Sequence, residues 1–206
     1  HKDANNSATS IVLGSVYANQ AEYEKAIIWF KEALRANPSD SSGYRGLGWA
    51  YLNQGQYEEA SKCFKETMRI NPNDSGGYVG LGWVYLNQAK YNESIRFFKE
   101  AIRVNPNDNI SYQGLGRVYL AENQFEEAIR WFKEAIRVKP NNSSGYESLG
   151  RVYLSQAKYD EATKCFREAI KGNPNDSNAY EGLGRIYLNQ GQYREAMKWF
   201  RKALEY

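Results

Sequence analysis

Six glycines, Gly14, Gly48, Gly82, Gly116, Gly150 and Gly184, fall 34 residues apart, and so do the five prolines Pro38, Pro72, Pro106, Pro140 and Pro174. A period held along a chain of 206 residues means one structural unit written repeatedly. Such a chain grows by stacking units and not by enlarging a single core. Within the unit from Tyr44 to Pro72, Tyr44, Leu47, Gly48 and Tyr51 stand at i, i+3, i+4 and i+7, the apolar stripe of a first helix. Asn53-Gln54-Gly55-Gln56 breaks the stripe, and Gly55 suits the reversal of the backbone there. A second helix carries Tyr57, Ala60, Phe64 and Met68 on its inner face and stops before Pro72, because proline disfavours helical backbone in the residue ahead of it. Asp74 then caps the next helix, with Asp40, Asp108, Asn142 and Asp176 at the equivalent places. Gly48 and Ala60 are small where the two helices of a hairpin come closest. A lone hairpin leaves one apolar face open, so each must lean on the next. The expected fold is all-α.

The pattern Tyr44-x2-Leu47-Gly48-x2-Tyr51, Ala60-x3-Phe64 and Pro72 resembles the tetratricopeptide repeat. It recurs at Tyr78, Leu81, Gly82, Tyr85, Phe98, Ala101 and Pro106, again over Tyr112 to Pro140, Tyr146 to Pro174 and Tyr180 to Ala203, and in the first unit through Leu13, Gly14, Tyr17, Ala26, Phe30, Ala33 and Pro38. The resemblance covers residues 7–206 in six units, 7–40, 41–74, 75–108, 109–142, 143–176 and 177–206, with 1–6 set aside as a disordered or tag-derived leader. Departures are Ser10 for the first aromatic and Ser94 and Thr67 for alanines, all small or terminal. The resemblance implies an α-solenoid, a right-handed superhelix of antiparallel helix pairs, that serves as a protein–protein interaction scaffold. Family members often close with an extra solvating helix. No C-terminal capping helix is expected here, and the last hairpin should expose Tyr187, Met197 and Leu204. An open end of that kind favours head-to-tail self-association or continuation into a larger parent protein, of which this chain reads as a fragment.

Composition narrows the chemistry. A net charge of +3 from 27 basic and 24 acidic residues lacks the concentrated basic footprint of a nucleic-acid binder. No run of about 18 apolar residues is present, so no membrane span is expected. The sole histidine is His1, which leaves no Cys/His zinc set and no Ser/His/Asp or Cys/His catalytic set. Cys63 and Cys165, three repeats apart, read as reduced thiols filling a small-residue slot. Gly46-Leu47-Gly48 lacks the third glycine and the preceding strand of a dinucleotide fingerprint, and its glycines read as packing residues. Asn73-Asp74-Ser75, Asn92-Glu93-Ser94 and Asn175-Asp176-Ser177 match the glycosylation pattern but fall mostly in capping turns. Carboxylate pairs such as Glu58-Glu59 imply no pocket. The expectation is no enzyme activity, no cofactor and no metal.

Residues repeated in every unit build the stack, so a partner is read where residues vary. By resemblance to the family, the first helix of each pair lines a concave groove. The residues one, five and nine places after the first aromatic then form the peptide-binding ladder: Arg45, Trp49, Asn53; Val79, Trp83, Asn87; Gln113, Arg117, Ala121; Glu147, Arg151, Ser155; Glu181, Arg185, Asn189. Trp49 and Trp83 are hot-spot residue types, Asn53 and Asn87 carry both donor and acceptor, and the arginines suit acidic groups. The partner expected is an extended peptide or a helix with an apolar or aromatic segment beside an acidic one. Against this, the two tryptophans also suit packing between helices. Glu147 and Glu181 stand four residues before Arg151 and Arg185, the order that forms intrahelical pairs, whereas Arg117 follows Gln113 and is expected to be the better anion receptor. On the second helices, the row Lys31, Lys65, Lys99, Lys133, Arg167 and Arg201 runs beside Glu32, Glu66, Glu100, Glu134 and Glu168, with pairs such as Glu58–Lys62 and Lys62–Glu66 expected on a solvated face. Two other readings stay open: the targeting arm of a larger enzyme, such as a protein O-linked sugar transferase, and a structural scaffold self-assembled through its ends. The compartment is not encoded, and the cytoplasm is the favoured expectation.

Overall fold

The computed structural model describes residues 2–206, with side chains from Asn6 onward. His1, part of the leader set aside above, lies outside the described residues; from Lys2 the backbone is already helical. Twelve helices are present among the described residues, in consecutive pairs. The unit ending at Pro106 holds α1 (Lys2–Asn19), α2 (Tyr23–Ala36), α3 (Ser41–Asn53), α4 (Tyr57–Ile70), α5 (Ser75–Asn87) and α6 (Tyr91–Val104). The unit Asn107–Tyr206 holds α7 (Asn109–Ala121), α8 (Phe125–Val138), α9 (Ser143–Ser155), α10 (Tyr159–Gly172), α11 (Ser177–Asn189) and α12 (Tyr193–Ala203).

Local chemistry sets where each helix starts and stops. Asp40 accepts from the backbone of Ser42 and Gly43 at 3.0 and 3.3 Å, and Asp74, Asp108 and Asp176 cap α5, α7 and α11 in the same way. Asn142, at the equivalent place before α9, makes no side-chain cap bond. Each first helix ends in a left-handed residue: Ala21, Gly55, Ala89, Asn123, Ala157 and Gly191, with φ between 55° and 75°. At α3 the bonds Gly55 N to Leu52 O and Gln56 N to Tyr51 O, both 2.9 Å, satisfy the last carbonyls and turn the chain back. Alanine in this conformation is strained by its Cβ. Ala89→Gly and Ala157→Gly are therefore expected each to stabilise the protein by roughly 0.5–1 kcal/mol, read as a higher Tm. An unchanged or lower Tm for both would contradict this.

Packing centres on one phenylalanine per hairpin. Phe64 is 0% exposed and lies between Gly48 of its own repeat and Gly80 of the next. A methyl at Gly48 would come within 2.8 Å of Phe64 Cε1, and one at Gly80 within 2.5 Å of Phe64 Cγ. Phe166 sits in the same way between Gly150 and Gly182. The glycines of Gly46-Leu47-Gly48 are thus packing glycines, Gly46 against Phe30 and Gly48 against Phe64. The departures Ser94 and Thr67 are buried with their hydroxyls satisfied, Ser94 Oγ donating to Gly82 O at 2.8 Å and Thr67 Oγ1 to Cys63 O at 3.1 Å.

The cysteine slot is not a small-residue slot. Its equivalents are Trp29, Phe97, Trp131 and Trp199, three of which stack on a tyrosine of the same unit: Phe97 on Tyr85, Trp131 on Tyr112 and Trp199 on Tyr187. Cys63 takes the place of such a ring, and the amine of Lys31 lies over the Tyr51 ring. Burial pushes the Cys63 thiol up to about 12 and the Cys165 thiol up to about 11, so both are protonated and inert at neutral pH. The outer ion pairs are also shifted by one place. Lys62 pairs with Glu59 at 2.7 Å, three residues back, and not with Glu58 or Glu66; Arg69–Glu66, Arg103–Glu100 and Arg137–Glu134 repeat the i, i+3 geometry. All are solvent-exposed pairs, screened by water, and add little to stability.

Candidate functional site

The ladder does not project from one side of its helices. A step of four residues advances about 40° around the axis, so the first rung is turned about 80° from the third. That turn carries it toward the cap of the following repeat. Arg45 pairs with Asp74, the cap of α5. Gln113 is 8% exposed and accepts from Ser144 Oγ at 3.0 Å. Val79, expected in the groove, is 3% exposed, and Glu147 is 8% exposed. Arg45, Val79, Gln113 and Glu147 therefore belong to the packing between repeats and not to an open ladder. Glu181 is half-buried and holds Arg185.

The second and third rungs do reach a surface. In the first unit Trp49 sits edge-on against Phe64 with ring centroids 5.4 Å apart, and Trp83 against Phe98 at 5.5 Å. Each is half-buried, packed on one edge and open on the other. Both line a cleft of about 510 Å³ together with Asn53, Asn87, Leu52 and Tyr57. Asn53 Nδ2 donates to Trp49 O at 2.9 Å and Asn87 Nδ2 to Trp83 O at 2.8 Å. Those bonds fix the two amides while leaving each side-chain carbonyl as an acceptor. Leu52 and Tyr57 were missed by the ladder rule, although Tyr57 recurs at the start of every second helix as Tyr or Phe.

In the second unit Arg117, Arg151 and Arg185 are all exposed. Arg151 Nε lies 2.6 Å from Glu147 Oε1, and Arg185 Nη2 lies 2.7 Å from Glu181 Oε1, so the intrahelical pairs form. Arg117 is not electrically isolated either, since its charge acts on Glu147. Arg151, Arg185, Glu181 and Asn178 rim a cavity of about 810 Å³ whose apolar lining includes Leu154 and Phe166. Asn178 also escaped the ladder; it lies in the first turn of α11, two residues after its cap.

Burial pushes the Glu147 carboxyl above the usual carboxylate range; Arg151 opposes the shift, Asp176 adds to it, Arg117 opposes it and Glu181 adds to it. With its folded value raised above the unfolded one, this group lets the folded state hold more protons between the two values. Stability therefore rises as pH falls through the folded value, and the ionised group opposes folding above it. Glu147→Gln is expected to raise the Tm at pH 7.5 and to lose that advantage toward pH 4. A variant that is less stable at pH 7.5, or equally shifted at both pH values, would contradict the assignment.

Among the described residues no group of three or more His, Cys, Asp or Glu side chains can hold a metal ion, and no helix is long and apolar enough to cross a membrane.

Comparison with known proteins is consistent in kind. The profile of the cilia and flagella-associated protein 70 C-terminal domain matches residues 1–173, and a tetratricopeptide repeat profile matches residues 148–205. No curated protein matches the chain. Among solved structures, the APC/C hetero-tetramer Cut9–Hcn1 superposes with a TM-score of 0.84 at 17% identity, over 100% of this chain and 40% of that one. TTC0263, a thermophilic TPR protein of Thermus thermophilus, gives 0.78 at 22% identity, over 93% of this chain and 99% of that one. YrrB, described as a TPR protein with an unusual peptide-binding site, gives 0.57 at 20% identity, over 85% of this chain and 91% of that one. At these identities the likeness concerns the fold.

Proposed function

The chain belongs to the tetratricopeptide repeat family, and from that premise we propose that it is a protein-interaction scaffold whose first unit grips an extended peptide through the Trp49–Trp83 cleft. The observation that carries this reading is the convergence of Trp49, Trp83, Asn53 and Asn87 on one opening. Two indole edges desolvate an apolar or aromatic side chain, and two fixed amides meet the peptide backbone on either side of it. Rigid, half-buried tryptophans lose little entropy on binding, which is why such residues dominate interface energies. A peptide-binding site in YrrB, a protein of the same fold, adds support.

The test is recovery of a partner by pull-down, followed by titration against Trp49→Ala and Trp83→Ala. Each is expected to weaken binding by at least about 2 kcal/mol, roughly thirtyfold. Unchanged affinity in both would sink the cleft as the site.

Head-to-tail stacking of copies is disfavoured by one residue. Where later first helices carry Gly46, Gly80, Gly114, Ser148 or Gly182, α1 carries Val12. Gly46, Gly80 and Gly182 meet the phenylalanine of the preceding hairpin so closely that an added Cβ would overlap it. Val12, 61% exposed, would obstruct that seat. Sedimentation across a concentration series checks this, with a monomer expected throughout.

A further inference from the structure

Position 147 sets the second unit apart. Equivalent residues contact the cap of the following repeat, and Arg45 makes an ion pair there with Asp74. Glu147 instead meets Asp176, a like charge, with Glu181 of α11 adding to the repulsion and Arg117 of α7 and Arg151 of α9 opposing it. With all six side chains ionised, Arg117, Arg151 and Arg185 balance Glu147, Asp176 and Glu181, so this face carries no net charge. An arginine row so balanced has little long-range pull on an anion. Removing one negative charge changes that. The most enclosed of the three carboxylates is Glu147, and it is the one holding Arg151 by its Nε at 2.6 Å.

Resting on the reading of the inner helices as a peptide surface, we propose that the cavity between α9 and α11 binds an anionic peptide segment flanked by a bulky apolar side chain, and that protonation of Glu147 opens it. A proton on Glu147 removes the charge that ties up Arg151. The Arg151 guanidinium, already on the rim of the cavity and 3.5 Å from Asn178 Oδ1, then offers its N–H groups outward alongside Arg185. Leu154 and Phe166 supply the apolar lining for the flanking side chain. Asn178 adds an amide on the same rim. Burial and the neighbouring carboxylates raise the proton affinity of Glu147, so the change falls at milder acidity than for a free glutamate.

The probe is a fluorescein-labelled peptide alternating leucine with O-sulfated tyrosine, whose sulfates stay ionised throughout the pH range. Anisotropy titrations at pH 7.5 and pH 5.0 compare the wild-type chain, Glu147→Gln, the double variant Arg151→Gln/Arg185→Gln, and Trp49→Ala/Trp83→Ala. The wild type is expected to bind about tenfold more tightly at pH 5.0, as one charge-assisted contact is gained. Glu147→Gln should bind at pH 7.5 as the wild type does at pH 5.0, with no further change. The double arginine variant should lose binding at both pH values. The tryptophan double variant should match the wild type, which separates this site from the first unit's cleft. Equal pH dependence in wild type and Glu147→Gln, or no binding by Glu147→Gln at either pH, overturns the proposal. Circular dichroism at both pH values confirms that each variant is folded.

Discussion

Phe64→Ala is expected to cost the first unit about 3–5 kcal/mol, the range for truncating a fully buried aromatic ring. Phe64 is 0% exposed, and glycines press on it from both sides. Glycine has no side chain with which to follow the receding surface, so the void cannot collapse without moving α3, α4 and α5 together. Alanine cannot recover the lost contacts, whereas Phe64→Leu keeps part of the volume and should cost less. In a stacked array each repeat is held by its neighbours, so the loss is local and cooperative unfolding should split. Thermal unfolding followed by circular dichroism should show an early transition carrying about half of the helix signal. A shift in free energy below about 1 kcal/mol would mean that the ring is not the keystone of its hairpin.

Gly182→Val tests the opposite error in the second unit. A Cβ at Gly182 would stand 2.6 Å from Phe166 Cε2 and 2.5 Å from Cε1, on a ring that is 0% exposed. Valine is the better helix former by a few tenths of a kcal/mol. Overpacking a closed core costs about 1–3 kcal/mol and sometimes more, so the clash wins. The second unit should melt earlier by an amount readable in urea titration. Phe166→Leu, destabilising alone, should recover part of the loss when combined with Gly182→Val, giving a coupling of about 1 kcal/mol or more between the two sites. Strict additivity would show that the ring and the glycine do not share one space.

The hairpins, their caps and their turns were readable from residues alone because each is a local decision. Asp40 finds the backbone of Ser42 and Gly43, and the asparagine before Pro72 is forced out of the helix, whatever lies beyond. Half of the candidate surface was equally readable. Trp49, Trp83, Asn53 and Asn87 meet in one cleft because rungs four residues apart stay within about 40° of each other. The first rung was misplaced because a straight spacing rule ignores that drift, and Val79, Gln113 and Glu147 ended in the packing. The cysteine slot was misread for a different reason: Trp29, Phe97, Trp131 and Trp199 in the same register mark it as wide.

Periodicity by itself determined how many hairpins this protein has, where each begins and which small residues join them, since a helix repeats its chemistry every turn and needs no distant information. Only tertiary structure decided which varied side chains are open to a partner. Whether Arg45 is spent on Asp74, or Glu147 is enclosed beside Asp176, depends on the next repeat closing over it, and exposure is a property of neighbours and not of the residue.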